Sequence, residues 1–387
     1  MTSPQTAFDD APGLECPAEP SVRILHLVGG RSDTGGVLSV LRSLQAAASR
    51  PGLEHNVWVD RQFRETRSPS LDYRRARFGV PETSSPLRLL GRALLASWEF
   101  LRARDDSYHV IHAHTRGALI VAWLFSVWRR RPVVFTNHNY ARWRALYRWF
   151  AKRKRIHTVM LTPAMARYYG IPPDAPRVSL ISACFDDRFL GHRLAERDNT
   201  EPLRLIGVGS LTSWKKWDLV IDALAARPAT SGRLELHVFG PVLPFAESER
   251  FAAQLERKVR DLNLSDRVFF HGETHDVLTE LRRASWFVLP SNNEPCSVAL
   301  MEALALGLPA LVSRSGGSVD LVAPGCGIHF EVGSSEDLGR ALDDILNDRV
   351  QLREPAEIRR SVAARCASQV ALEYEALYGR IAGLTTE

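Results

Sequence analysis

The stretch WFVLPSNNEPCSVALMEALALGLPALVS, residues 286–313, decides the fold of this chain. A buried strand is followed by a polar loop that carries Glu294 and by an apolar helix from about Ser297 to Leu306. Gly307 ends the helix, as glycine commonly does just after the last helical turn. A strand, a loop and a helix in this order form the repeating unit of parallel α/β sheets.

Two carboxylates in this stretch flank a predicted phosphate site. The first-turn amides of the helix lack partners and carry the positive end of its dipole, so they attract anions. Glu294 precedes this terminus and Glu302 lies within the helix. A nucleotide sugar offers ribose hydroxyls, a diphosphate and a sugar ring in sequence, which this arrangement matches. The alternative is that Glu294 is a solvated loop residue and Glu302 lies on an exposed helix face.

The same alternation extends over the whole chain and predicts an α/β fold. The predicted strands are Val22–Val28, His55–Val59, Tyr108–His112, Pro132–Thr136, His157–Leu161, Arg177–Ile181, Leu203–Val208, Leu234–Phe239, Arg267–Phe270, Trp286–Leu289 and Pro309–Val312. The predicted helices follow Gly36, span Leu87–Arg104, Gly117–Trp128, Ala141–Arg153 and Ser335–Leu346, begin near Trp217, Ala246, Asp276 and Ser297, and fill a long segment after Glu357. Such alternation indicates parallel sheets with helices on both faces.

The length of 387 residues suits two domains better than one. We expect two Rossmann-like domains that face each other across a cleft, because ligands of such sheets bind at the carboxyl ends of the strands. The predicted divisions are an N-terminal tail (1–20), a first domain (21–190), a polar linker (191–202), a second domain (203–365) and a final helical segment (366–387) that packs back on the first domain.

The segment NEPCSVALMEALALGLPALVS, followed by Gly316-Gly317, resembles the signature of the retaining GT-B glycosyltransferases with a Glu-x7-Glu motif, the family 4-like group 1 enzymes. HVFGP (237–241), RVFFHG (267–272) and ASWFVLPS (284–291) follow the order and spacing of that family. The resemblance covers nearly the whole chain. It implies the GT-B fold, an activated sugar donor, net retention at the anomeric carbon, and no metal or other cofactor.

The resemblance also assigns roles to residues of the motif. By matching position, Glu294 binds hydroxyls of the donor sugar and Glu302 binds the ribose. The backbone amides near Ser297 and Val298 hold the distal phosphate. Glu294 is accordingly one of two predicted catalytic residues.

Three residues of the first domain belong to the expected site. GGRSDTGG places Gly35 and Gly36 before a helix, which resembles the glycine loop by which the family approaches the donor. His138 in VFTNHN matches a family histidine that contacts the donor sugar, and it is the second predicted catalytic residue. We expect it to hydrogen-bond a sugar hydroxyl and stabilise the transition state. His114 in VIHAHT is equally compatible with a structural role.

The segment VGSLTSWKKWDL departs from the family in one position. Lys215 matches a lysine that grips the diphosphate, and Lys216 is adjacent. Ser210 occupies the position of a family arginine, and a hydroxyl cannot replace a bidentate guanidinium. Either Lys216 or an arginine from elsewhere compensates, or the phosphates bind more weakly. The Asn-Gly pair expected near the end of the first domain is replaced by Ala183-Cys184.

The net charge of +6 is unevenly distributed. Residues 129–155 contain ten Lys or Arg and no Asp or Glu, so the rest of the chain is net acidic. Aromatic residues lie among these cations, yet no nucleic-acid-binding fold is evident, and we expect no nucleic acid partner. The segment is either a solvated helix face whose aromatics pack inward or an interfacial helix on an anionic membrane. Family members that glycosylate lipid-linked acceptors are similar in this respect, and this similarity favours the interpretation as a membrane-bound helix.

Several classes of protein are disfavoured by the remaining features. The five cysteines are odd in number and scattered, which argues against a disulfide framework or a zinc site and indicates a reducing compartment. No apolar run reaches the roughly 18 residues of a spanning helix. The first twenty residues resemble no secretory signal. We expect a cytoplasmic protein, attached peripherally to the inner face of the cell membrane.

These features together predict a metal-independent, hexosyltransferase-like enzyme. It moves a sugar from a nucleotide-sugar donor to a glycan or lipid-linked acceptor in cell-envelope or exopolysaccharide synthesis. Two alternatives remain: a catalytically silent GT-B protein that binds a sugar nucleotide, which Ser210 favours, and a sugar-nucleotide epimerase, which the complete Glu294–Glu302 segment disfavours. The base, the sugar, the acceptor and the oligomeric state stay open.

Overall fold

The computed structural model describes residues 22–30, 36–47, 53–64, 73–76, 79–80, 85–102, 107–192, 202–227, 234–274 and 276–383. The tail predicted at 1–20 and most of the linker predicted at 191–202 lie outside these ranges.

The strands alternate with helices along the chain. They are β1 Val22–Val28, β2 Leu53–Val59, β3 Tyr73–Arg75, β4 Val110–Ala113, β5 Val133–Asn137, β6 Ile156–Met160, β7 Val178–Leu180, β8 Leu203–Val208, β9 Leu234–Phe239, β10 Val268–Gly272, β11 Trp286–Leu289, β12 Ala310–Ser313 and β13 Gly327–Phe330. The helices are α1 Gly36–Ala47, α2 Pro86–Arg102, α3 Arg116–Arg129, α4 Arg144–Ala151, α5 Pro163–Tyr169, α6 Arg188–Gly191, α7 Trp217–Ala225, α8 Ala246–Asp261, α9 Val277–Arg282, α10 Val298–Ala305, α11 Ser318–Leu321, α12 Ser335–Leu346, α13 Pro355–Val362 and α14 Ala367–Ala382.

Two parallel sheets form the framework, as the sequence predicted. Among the described residues, the first sheet has the order β3-β2-β1-β4-β5-β6-β7 and the second β10-β9-β8-β11-β12-β13. Connections change direction between β1 and β4 in the first sheet and between β8 and β11 in the second. Crevices open at such switch points, outside the carboxyl ends of the strands. The prediction of two Rossmann-like parallel-sheet domains is confirmed.

Some predicted elements were wrong in extent, and others were missed. The helix predicted over Ala141–Arg153 is only Arg144–Ala151, because Trp143 adopts a non-helical backbone conformation at its start. The long helical segment after Glu357 is divided into α13 and α14, since the backbone at Cys366 leaves the helix and pairs with Phe185. Strands β3 and β13 and helix α5 were missed.

The last helix, α14, packs against α1 and β4 of the first sheet. Tyr374 and Tyr378 of α14 are buried, and the Tyr378 hydroxyl lies 2.6 Å from Nδ1 of His112 on β4. The chain therefore returns from the second domain and covers one face of the first sheet.

No helix in the described ranges combines the length and hydrophobicity that crossing a bilayer requires. Of the basic residues between 129 and 155, all except Arg131 are exposed. The aromatic residues of α4 differ in exposure, because Tyr147 and Phe150 are buried and Trp149 is partly exposed. The guanidinium carbon of Arg153 lies 3.7 Å from the centroid of the Trp149 ring. The inward packing expected of a solvated face therefore accounts for Tyr147 and Phe150.

Candidate active site

The loop between β11 and α10 forms the centre of the candidate site. The hydroxyl of Ser297 accepts a hydrogen bond from the Leu300 amide at 3.3 Å and so caps α10. The cap leaves the amide of Val298, the first helical residue, without an intrahelical partner. Ser297 is thus the residue that begins the helix, while the neighbouring backbone amides supply the predicted anion site.

Lys215 and Glu294 form a buried ion pair beside this helix terminus. Lys215 Nζ lies 2.8 Å from Glu294 Oε2, and only 9% of each side chain is exposed. Lys215 follows β8 and Glu294 follows β11, the neighbouring strands at the switch point of the second sheet. The fold therefore joins two residues that are 79 positions apart in the sequence. The pair excludes Glu294 from being a solvated loop residue.

Two glycines fix the backbone that carries Glu294. The amide of Gly317 donates to the Glu294 carbonyl at 2.7 Å. A Cβ at Gly317 would lie 2.0 Å from the Pro295 carbonyl oxygen, and one at Gly316 would lie 2.4 Å from the Glu294 carbonyl oxygen. Gly316 also has a φ of +51°, which side chains disfavour. Only glycines permit this close contact, so they position the acidic loop.

Glu302 is partly buried on α10. Burial raises the pKa of its carboxyl to about 7, a rise that the charge of Arg188 opposes and that of Asp186 strengthens. A carboxyl in this setting gains from hydrogen-bond donors such as ribose hydroxyls, because they favour its charged form. Glu302 therefore does not lie in the exposed position of the alternative prediction.

Lys216 and Ser210 lie on the loop after β8, next to Lys215. Lys216 adopts the left-handed conformation with φ of 58° and precedes α7, and its side chain is partly exposed. The Ser210 hydroxyl lies 3.5 Å from Thr212 Oγ1, and the Ser210 carbonyl accepts from the indole of Trp217 at 3.2 Å. Ser210 thus stabilises the turn and brings no positive charge.

The first domain contributes its loops after β1 and β5. Gly36 begins α1 and is exposed, whereas Gly35 lies outside the described residues. His138 follows β5 and is partly buried, with its Nε2 3.1 Å from Nδ1 of His114. Burial lowers the pKa of His138 to about 4, so its ring is neutral near pH 7. Tyr140 in the same loop lies against Gly316, which brings the loop beside Glu294.

The two domains also meet directly next to the site. Asp320 of α11 accepts a hydrogen bond from the Ala164 amide in the first turn of α5 at 2.7 Å, and its other oxygen lies 3.3 Å from Arg167. The Thr162 hydroxyl donates to the Pro295 carbonyl at 3.4 Å. These contacts hold the loop of Glu294 against the first domain.

Among the described residues, three histidines of the first domain lie close enough together to be compared with a metal site. His26, His112 and His114 are buried, and one nitrogen of each lies within 4.8 Å of the others. The rings are already engaged: His26 Nδ1 lies 2.9 Å from His114 Nε2, and His112 lies 2.7 Å from the Thr136 hydroxyl. A metal would have to break these hydrogen bonds, because it binds the same lone pairs.

Sequence reasoning missed several residues around the site. Tyr140 stands two positions after His138, and this proximity is the signal that was available for it. Arg188 was also missed, and its charge acts on Glu302. Asp320 carries no local sequence signal, since its role arises from domain contact.

Two family profiles match the chain. The profile described as "Glycosyl transferases group 1" matches residues 192–362, and the one described as "Glycosyltransferase Family 4" matches residues 34–181. The two matches follow the two sheets, one for each domain.

Similar proteins span most of the chain. Mannosylfructose-phosphate synthase of Agrobacterium fabrum is 24% identical over 357 residues, which cover 80% of this chain and 78% of that protein. The lipopolysaccharide core biosynthesis mannosyltransferase LpcC of Rhizobium leguminosarum bv. viciae is 25% identical over 290 residues, covering 70% and 76%. The structure of Anabaena Alr3699/HepE, solved with UDP and glucose, has a TM-score of 0.71 at 17% identity and covers 93% of this chain and 100% of that one.

Proposed function

The chain belongs to the group 1 glycosyltransferases with the GT-B fold, and we propose that it takes its sugar from a nucleotide-sugar donor. The observation that carries this proposal is the buried Lys215–Glu294 pair at the start of α10. The pair places a cation, a carboxylate and free helix amides within one loop cluster, which matches the diphosphate and hydroxyls of such a donor.

Each part of the donor has a group that suits it. Lys215, Lys216 and the amides near Val298 bind the diphosphate, because all of them are positive or hydrogen-bond donors. Glu294 accepts hydrogen bonds from hydroxyls of the transferred sugar. Glu302 accepts from the ribose, and His138 approaches the sugar from the first domain.

The diphosphate charge is balanced without a metal in this proposal. Lys215 and the α10 terminus supply positive charge where the phosphates bind. Arg188 supplies the guanidinium that is missing because Ser210 occupies the position of the family arginine. This assignment rests on the charge of Arg188, which acts on Glu302. The reaction proceeds with retention at the anomeric carbon, a proposal that rests on the resemblance of residues 293–313 to the Glu-x7-Glu signature.

The acceptor we propose is a glycan or a lipid-linked molecule of the cell envelope or an exopolysaccharide. The similarity to LpcC, named as a lipopolysaccharide core mannosyltransferase, supports this class. The similarity to mannosylfructose-phosphate synthase supports a small sugar phosphate as the acceptor instead. Binding of the protein to a membrane would distinguish these two acceptor classes.

An exposed surface of the first domain supports contact with an anionic membrane. Leu90, Leu94 and Trp98 form an exposed stripe at helical spacing on α2. Helix α2 packs on α3, whose Trp123 contacts Trp149 of α4, the helix within the basic segment. Apolar side chains beside exposed cations suit the interface of an anionic bilayer.

A panel of nucleotide sugars tests the proposal. The protein is incubated with uridine, guanosine and adenosine diphosphate sugars, and the released nucleoside diphosphate is measured. We expect release from at least one of them and its loss in Glu294→Gln. Failure to bind or cleave any member of the panel would contradict the proposed donor class.

A catalytically silent sugar-nucleotide-binding protein is the second candidate. Ser210 favours it, because the hydroxyl sits where a diphosphate-gripping arginine is expected. Tight binding of a nucleotide sugar without any cleavage or transfer would select this candidate.

A further inference from the structure

A row of histidines crosses the first sheet. The sheet order places β2, β1, β4 and β5 side by side, and each of these strands or the residue after it contributes one ring. His55 Nδ1 lies 2.9 Å from His26 Nε2, His26 Nδ1 lies 2.9 Å from His114 Nε2, and His114 Nδ1 lies 3.1 Å from His138 Nε2. The four rings, named here the histidine row, are therefore linked head to tail.

The rings of the histidine row are neutral near pH 7. Burial lowers the pKa of His26 and His114 well below its ordinary value, and lowers that of His55 and His138 to about 4. A neutral imidazole has one N–H and one lone pair, so it donates on one side and accepts on the other. An imidazolium donates on both sides and would interrupt the row.

Head-to-tail bonding couples the tautomers of all four rings. If one ring carries its proton on Nε2, its neighbours must do so as well, because each N–H needs a lone pair opposite. The row therefore has two ordered states. With every proton on Nε2, His138 presents a lone pair at Nδ1, the nitrogen that the row does not use. With every proton on Nδ1, His138 presents an N–H there.

We propose that His26, His55 and His114 are positioning residues that hold His138 as the Nε2–H tautomer, so that its Nδ1 accepts a hydrogen bond from a hydroxyl of the bound sugar. The inference rests on the proposed donor site, in which His138 faces the sugar. It specifies the direction of that hydrogen bond, which the position of His138 alone leaves open.

The far end of the row favours this state. The Nε2 of His55 is its nitrogen outside the row, and His55 lines a small cavity together with Glu375. Glu375 is buried, and the oxygens of its carboxyl group can accept a hydrogen bond. An acceptor at this end favours a proton on Nε2 of His55, and the coupling passes that preference to His138.

His112 supports the row without setting its direction. Its ring lies 4.0 Å from that of His114, centroid to centroid. Its nitrogens lie 2.6 Å from the Tyr378 hydroxyl and 2.7 Å from the Thr136 hydroxyl. Hydroxyl groups donate or accept as required, so either tautomer of His112 is satisfied. Tyr378 belongs to α14, which closes the row from solvent.

The test uses the full chain with 15N-labelled histidine and no substrate, so it is independent of transferase activity. Long-range N–H spectra identify the tautomer of each ring, and single substitutions assign the signals. We expect neutral Nε2–H tautomers for His26, His114 and His138 between about pH 6 and pH 8. An Nδ1–H tautomer or an imidazolium at His138 would overturn the proposal.

Variants at the accessible end of the row test the coupling. His55→Phe removes the acceptor for His26, and we expect the His138 signals to move toward the Nδ1–H tautomer. His55→Gln retains an acceptor oxygen for His26, and we expect it to restore the His138 signals of the wild type. His157→Phe is the matched control, because His157 is a neutral, partly buried ring on β6 outside the row, bonded to Ser179. A His138 tautomer identical in wild type and His55→Phe would refute the coupling.

Activity and metal content complete the test. We expect His55→Phe to lower kcat/KM for donor cleavage about tenfold, the effect of one hydrogen bond, with nucleoside diphosphate affinity unchanged. His55→Gln recovers the activity. If the protein retains one equivalent of zinc through dialysis, His26, His112 and His114 are metal ligands. That result would overturn the proposal that the rings of the histidine row bond to one another. If no nucleotide sugar is cleaved while the tautomers are as expected, the proposed function fails and the row stands.

Discussion

Lys215 Nζ lies 2.8 Å from Glu294 Oε2, and the two charges are withdrawn from solvent together. Neither residue is close to the other in the sequence, and the pair exists because β8 and β11 are neighbours at the switch point of the second sheet. The site therefore holds a cation and a carboxylate in fixed positions before a substrate binds, which spares the reorganisation that a flexible site would require.

Removing one partner of this pair should damage both stability and activity. Glu294→Gln leaves the Lys215 ammonium buried without its counterion, which costs about 3 kcal/mol in similar pairs. We expect kcat for donor cleavage to fall at least about a hundredfold, because the proposed function places Glu294 on the transferred sugar. Denaturant unfolding and initial rates measure the two effects.

Two further variants separate the effects. The double variant Glu294→Gln with Lys215→Met should regain much of the stability and none of the activity. Lys258→Met serves as control, since Lys258 pairs with Asp222 at 2.6 Å on the surface, where such a pair contributes less than about 1 kcal/mol. Equal losses of stability in Glu294→Gln and the control would refute the account of the buried pair.

The pKa of Glu302 predicts a pH-dependent stability of the unliganded protein. Folding raises this pKa from an ordinary 4.5 to about 7, so the folded state keeps a proton that the unfolded state has released. The free energy of unfolding should therefore fall as pH rises through this window, by up to about 3 kcal/mol, and level off above it. Glu302→Gln should remove this component. An identical pH profile for wild type and Glu302→Gln would contradict the prediction.

Nucleotide binding should show the opposite trend. In the proposed site, ribose hydroxyls donate to the charged Glu302 carboxylate, so binding would favour its deprotonated form. We expect wild-type affinity for a nucleoside diphosphate to rise relative to that of Glu302→Gln between about pH 6 and pH 8. We expect Glu302→Ala chiefly to weaken nucleotide binding and Glu294→Ala chiefly to slow sugar transfer. Titration calorimetry of each variant, with initial rates beside it, distinguishes the two roles.

The framework was predictable because buried strands leave a local signal. β8, β9 and β11 were predicted with their observed bounds from apolar runs between polar turns. β13 was missed because it begins with a glycine, Gly327. β3 was missed because it is an edge strand of three residues, two of which are arginines. Glu294 and Glu302 were predicted as site residues from one segment alone.

The relationships between site residues were not predictable in the same way. The Lys215–Glu294 pair and the histidine row join residues from different strands, and strand order is a property of the tertiary fold. His26 and His55 stand in apolar strands, where a single histidine is compatible with many structural roles. Their alignment with His114 follows only once β2, β1 and β4 are known to be neighbours.

Chelation should leave the activity intact. The proposed diphosphate site uses Lys215 and the α10 terminus for positive charge, so EDTA removes nothing that it needs. Initial rates of donor cleavage with and without EDTA measure this directly. Loss of activity that manganese or magnesium restores would show that a divalent cation carries the phosphate charge instead.

The basic segment should bind anionic bilayers. Each Lys or Arg near such a surface contributes on the order of 1 kcal/mol, and salt screens the attraction. We expect the protein to float with anionic vesicles at low salt and to remain unbound with neutral ones. Changing Lys152, Arg153, Lys154 and Arg155 together to Ser should release it, while donor cleavage stays unchanged.

The control for this experiment changes an equal charge on the second domain. Its residues lie on α8 of the second domain: Arg250, Arg257, Lys258 and Arg260. We expect this variant to bind anionic vesicles as the wild type does. Wild-type protein that floats with neither kind of vesicle would make the basic segment a solvated face and favour a small acceptor in solution.

We expect the site around Glu294 and Lys215 to transfer a sugar with retention, and the anomer of the released sugar shows whether it does. Proton NMR follows cleavage of an α-linked nucleotide sugar during the first minutes, before the free sugar equilibrates. We expect the α anomer to appear first and the Glu294→Gln variant not to form it. Initial release of the β anomer, or undiminished release by Glu294→Gln, would contradict it.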